Sequence, residues 1–72
     1  MTNNMSEEDY KKISVINGLL KNDPTNLSLL MQKAYLYLSG YDNENTIANY
    51  RHIIELYPDC IDAYFWFSYY PP

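Results

Sequence analysis

His52 and Glu55 stand one helical turn apart, and Cys60 lies further along the same stretch. These are the side chains whose types and spacing could do chemistry. A His/Glu pair can exchange a proton or supply part of a metal site, but a metal needs three or four converging ligands and the sequence brings no others to that face. The expected role of the pair is an exposed histidine beside a solvating carboxylate. Cys60 falls where a helix N-terminus could lower a thiol pKa. Asp59 and Asp62 oppose that shift, so a small packing residue is the better reading. With only Gly18 and Gly40 in the chain there is no glycine-rich phosphate loop, and no Ser/His/Asp order suggests a nucleophile. The sequence therefore points to a non-enzymatic protein with no cofactor and no metal.

Composition bounds the alternatives. A chain of 72 residues is one domain, and at this size a single core is marginal without disulfides, metal or self-association. One cysteine forms no internal disulfide, and no second Cys or His sits at a ligand spacing. Self-association is the aid that remains. Hydrophobic residues at 47% and charged residues at 19% describe a globular chain, not a disordered one. The formal charge of −4 and pI of about 4.6 disfavour nucleic acid, since the five Lys plus Arg form no basic stripe. No run approaches the roughly 18 apolar residues of a membrane span, and the start has no leader pattern. A cytoplasmic protein that binds neither membrane nor nucleic acid is expected.

The elements that would carry these residues are helices. Ile13, Ile16 and Leu20 recur at three- and four-residue steps behind a capping Ser6, predicting a helix over 6–22. Residues 1–5 are expected to be a flexible N-terminus ahead of a single helical domain over 6–72. Pro24 stops the first helix, and Thr25 or Asn26 can cap a second over 26–39, built on Leu27, Leu30, Ala34, Tyr37 and Leu38. Gly40 stands where a left-handed residue would end that helix. Asp42 can cap a third helix over 43–57 with Ile47, Tyr50, Ile54 and Tyr57 on one face. Pro58 and Asp59 restart the chain into a fourth over 60–70. Its run of aromatics would suit a buried strand, but a lone strand has no partner. The fold class is all-α: four antiparallel helices in two pairs.

Pro24 and Pro58 lie 34 residues apart (58 − 24), each after one helix and before another. The intervening segment "LSLLMQKAYLYLSGYDNENTIANYRHIIELYPDC" resembles one tetratricopeptide repeat. Leu30, Ala34 and Tyr37 stand on its first helix, and Ile47, Tyr50, Ile54, Leu56 and Pro58 on its second. Thr46 and Ile53 depart from the alanines usual there, which implies helices slightly farther apart or crossing at a shifted angle. "EEDYKKISVINGLLKNDP" resembles the second helix of a preceding repeat, and "CIDAYFWFSYYPP" the first helix of a following one. The resemblance implies a protein-protein interaction module that holds a peptide or partner helix in a groove lined by first helices. The groove positions would be Ser28, Met31, Tyr35 and Leu38, then Asp62, Phe65 and Tyr69. A basic clamp for charged peptide tails is not implied, because Gln32, Asp62 and Trp66 stand where it would need Lys, Arg and Asn.

The aromatic fourth helix carries more apolar area than one neighbouring helix can cover. Trp66 lies off the stripe Ile61, Tyr64, Phe67 and is expected to face outward. Its surplus surface would meet a second copy, a foreign partner or a continuation of the chain. A homo-oligomer is expected, most simply a two-fold dimer with fourth helices packed together. An acidic inhibitor of a basic partner is a weaker alternative, supported only by the net charge of −4.

Overall fold

Ser6 opens α1 (Glu7–Asn22) with a reciprocal pair of hydrogen bonds. Its hydroxyl accepts the Asp9 N–H at 3.1 Å, while the Asp9 carboxylate accepts the Ser6 N–H at 3.4 Å. Glu7, Glu8 and Asp9 place negative charge on the positive end of the helix dipole. A computed structural model describes residues 5–68, and all regular structure among them is helical. After α1 come α2 (Leu27–Ser39), α3 (Asn43–Leu56) and α4 (Ile61–Ser68). Asn26 caps α2 by accepting from Leu29 at 3.0 Å, and Asp42 caps α3 by accepting from Asn45 at 3.3 Å. The expected end of the fourth helix at residue 70 lies outside the described residues.

The 34-residue spacing reappears as geometry. In the α1–α2 turn, the Asn26 N–H bonds to the Asp23 carbonyl at 3.1 Å and the Leu30 N–H to the Asn26 carbonyl at 3.0 Å. In the α3–α4 turn, the Cys60 N–H bonds to the Tyr57 carbonyl at 3.0 Å and the Tyr64 N–H to the Cys60 carbonyl at 3.3 Å. Every partner is shifted by the same interval. The ends of α1 and α3, and the starts of α2 and α4, obey it too. Both proline turns thus hand the chain from one helix to the next in the same way.

The α2–α3 corner differs from expectation. Gly40 is not left-handed: its φ is −90°, and Tyr41 takes the positive φ of 61° instead. The Tyr41 N–H bonds to the Leu38 carbonyl and the Asp42 N–H to the Tyr37 carbonyl, which is the Schellman pattern with Tyr41 one residue past the cap. Glycine at position 40 answers a different need. A Cβ there would lie 2.8 Å from the Met5 Cγ, so glycine leaves room for the thioether to rest on the corner. Met5, within the segment expected to be flexible, is half-buried at this contact.

Packing runs in chain order: α1 on α2, α2 on α3 and α3 on α4. The Cα extents of 33 × 32 × 14 Å describe a slab. One core cluster joins Leu30 and Ala34 of α2 to Tyr50 and Ile53 of α3 and Ala63 of α4. Helix α3 is gripped on two sides, by α2 and α4, so its buried arc is wider than one stripe. Thr46 and Ile53 are buried with Tyr50, while Ile47, Ile54 and Tyr57 are half-buried. The buried Thr46 hydroxyl donates to the Asp42 carbonyl at 2.8 Å, which removes the penalty of an unpaired polar group.

The expected register of α4 is shifted: Phe67 packs inward as expected, but Ile61 and Tyr64 do not. Ala63, Trp66 and Phe67 face the core, whereas Ile61 and Tyr64 are exposed. The small Ala63 marks the closest approach to α3, and the aromatics three and four residues later follow it inward. Because this helix is apolar nearly all round, its sequence has too little contrast to reveal which face is covered. Arg51 of α3 adds a cation–π contact, 5.9 Å from the Phe67 ring centre.

Candidate functional site

An apolar feature lies between α1 and α2. An open groove of about 670 Å³ is lined by Val15, Ile16 and Leu19 of α1 and by Leu29, Tyr35 and Leu36 of α2. Its walls form for a simple reason. The residues of α1 that reach α2 are Ile13, Ile16 and Leu20, leaving Val15 and Leu19 a quarter-turn away with no helix across from them. Leu19 remains 53% exposed. Glu8, Lys11, Lys12 and Gln32 supply the polar rim. The Lys12 ammonium lies 3.9 Å from the Glu8 carboxylate, an exposed pair of small energetic weight.

The residues expected to line one continuous partner face divide between different surroundings. Tyr35 is exposed in the α1–α2 groove. Met31 is half-buried and packs on the core cluster, and Leu38 is also half-buried. Asp62 is exposed, and Phe65 stands 61% exposed on the outer side of α4. Trp66, expected outside, is half-buried against the core, its ring meeting Phe65 edge-on at 5.1 Å. Tyr69 lies outside the described residues. Ser28 is exposed, its hydroxyl accepting from the Gln32 amide at 3.1 Å. The structure thus leaves two apolar surfaces: the α1–α2 groove, and the outer stripe Ile61, Tyr64, Phe65 of α4.

Val15, Leu19, Leu29 and Leu36 were missed as site residues. A signal for them was present: displaced by 34 positions, Leu19 and Leu29 coincide with Ile53 and Ala63, which sit at the heart of the core.

The chemically capable residues are dispersed. His52 and Glu55 are both exposed on α3. Cys60 is a free, half-buried thiol that packs on the core beside a hollow of about 450 Å³ at the α3–α4 turn. Among the described residues no group of three His, Cys, Asp or Glu could hold a metal ion. The Tyr37 phenol has a displaced pKa. Burial pushes its phenol above the ordinary value, and Asp42 and then Tyr10 add to the rise. No helix among the described residues is long and apolar enough to cross a membrane.

Comparisons with protein-family models, with curated proteins and with solved structures find no match to this chain.

Proposed function

We propose that this chain is a non-enzymatic interaction module of tetratricopeptide type that takes a partner helix or peptide in the groove between α1 and α2. The observation that carries the reading is the groove itself, an apolar trough of about 670 Å³ whose walls, Leu19 above all, no described helix covers. An amphipathic helix laying its apolar face into such a trough is a recurrent mode of recognition. The repeated turn geometry supports the same reading, because each helix of a stacked array needs a neighbour on both sides. Lys11 and Lys12 on the rim favour an acidic flank on the occupant. A free cysteine thiol suits the reducing cytoplasm as the place of action.

The test is selection of helical peptides on the folded protein, followed by measurement on Leu19→Glu. Binding should fall by at least about tenfold, since the substitution sets an unpaired charge against the apolar face of the peptide. Peptides that bind both forms equally would show that the groove is not the docking surface.

A further inference from the structure

We infer that the occupant of the α1–α2 groove is α4 of a second copy, so that the chains associate head to tail. The inference rests on the groove being a docking surface and names its partner.

The template for the contact is already inside the molecule. The α2–α3 interface is its most extensive, and in it Leu27, Leu30 and Met31 of α2 pack with Tyr50 and Ile53 of α3. Advancing the α2 residues by 34 positions gives Ile61, Tyr64 and Phe65 of α4. Moving the α3 residues back by the same interval gives Ile16 and Leu19 of α1. These five displaced positions are apolar, while Ala34 of the same cluster falls on the small Ser68. Their outer members are what the single chain leaves uncovered: Ile61 is 80% exposed and Phe65 61%, against 53% for Leu19. Neither surface can reach the other within one chain, since α4 packs at the α3 end of the slab and α1 at the α2 end. Placing α4 of one copy on α1 of the next therefore rebuilds the interface that α2 and α3 already make.

The internal repeat selects this arrangement over a two-fold pairing of α4 with α4. A two-fold contact sets the same surface against itself, a pairing with no counterpart among the α1–α2, α2–α3 and α3–α4 interfaces. Head-to-tail docking instead repeats a pairing the chain already makes, and it sets the start of α4 at the C-terminal end of α1, just as the Tyr57 hydroxyl at the end of α3 reaches the Thr25 carbonyl ahead of α2. In this reading the contact joins unlike surfaces, in place of the two-fold dimer expected from the sequence.

Mixing experiments separate the arrangements. Leu19→Glu disables the groove and leaves α4 intact, while Phe65→Glu does the reverse; both sites are solvent-exposed, and circular dichroism checks that each variant keeps its helices. By sedimentation, the wild type should rise with concentration above the 8.5 kDa of one chain and continue past two chains. Each variant alone should sediment as a monomer. An equimolar mixture should give a pair of chains and stop there, because one good groove and one good α4 remain. If Leu19→Glu still self-associates while Phe65→Glu does not, the contact is α4 on α4 and the inference is overturned. A wild type that stays monomeric, or two monomeric variants that fail to pair, overturns it as well. The peptide selection above tells these failures from a failure of the groove, since selected peptides that still lose binding on Leu19→Glu would leave the groove standing and exclude only the second copy as its occupant.

Discussion

Leu19 and Ile53 occupy the same position one repeat interval apart, at corresponding places on α1 and α3, yet Ile53 is wholly buried and Leu19 is half in solvent. The difference is that α2 lies against α3, whereas no described helix lies against the corresponding side of α1. Truncating Ile53 to Ala should therefore cost about 2–5 kcal/mol, as cavity-forming changes do. Leu19→Ala should cost under about 1 kcal/mol at concentrations where the protein is monomeric. Urea denaturation of both variants checks the contrast.

Trp66 and Phe65 should respond in opposite senses to a charge. Trp66→Glu drives an unpaired carboxylate towards the core cluster and should unfold the C-terminal half or the whole domain. Phe65→Glu places the charge in water and should leave helicity unchanged. Thermal melts followed at 222 nm distinguish them. Equal melting temperatures would mean that the register of α4 is misassigned.

At the α2–α3 corner, Tyr41→Gly should raise stability by about 1 kcal/mol, because it relieves a left-handed backbone while giving up a mostly exposed ring. Gly40→Ala should change stability by less than about 1 kcal/mol, since Gly40 has an ordinary φ and the flexible Met5 side chain can move aside. What should change is the Met5 contact, so Gly40→Ala and Met5→Ala should be non-additive in a double-mutant cycle.

The Tyr57 hydroxyl donates to the Thr25 carbonyl, tying the end of α3 to the α1–α2 turn. Tyr57→Phe should cost about 1 kcal/mol, the usual net value of such a bond. Faster amide exchange at Asn26 and Leu29 should accompany it, because the turn loses its anchor.

Tyr37 should make the fold sensitive to alkali. Its phenol is held neutral above the ordinary tyrosine range by burial first, then by Asp42 and Tyr10. A group whose pKa is higher in the folded state contributes stability that is intact below its unfolded value of about 10 and lost as pH rises through the folded value. Denaturation midpoints should fall above about pH 10, and Tyr37→Phe should flatten part of that decline.

Much of the architecture was legible in local chemistry. Ser6, Asn26 and Asp42 announce helix starts because short polar side chains satisfy the first free N–H groups. Pro24 and Pro58 announce the turns, because proline breaks the helical ladder. These signals act within a few residues, so they survive without knowledge of the neighbours, and the four helices fall within two residues of their expected bounds wherever those bounds are described.

What tertiary structure alone decided was which apolar side chains are covered. The sequence determined that α4 is rich in apolar side chains; packing through Ala63 decided that Trp66 turns inward and that Ile61, Tyr64 and Phe65 turn outward. It determined that the α2 helix ends near position 40; contact with Met5 and the Schellman bonds decided that Gly40 stays right-handed and Tyr41 does not. Covering is a property of pairs of helices and not of residues. Leu19 and Ile53 are both strongly apolar, and only the placement of α2 makes one of them core and the other surface.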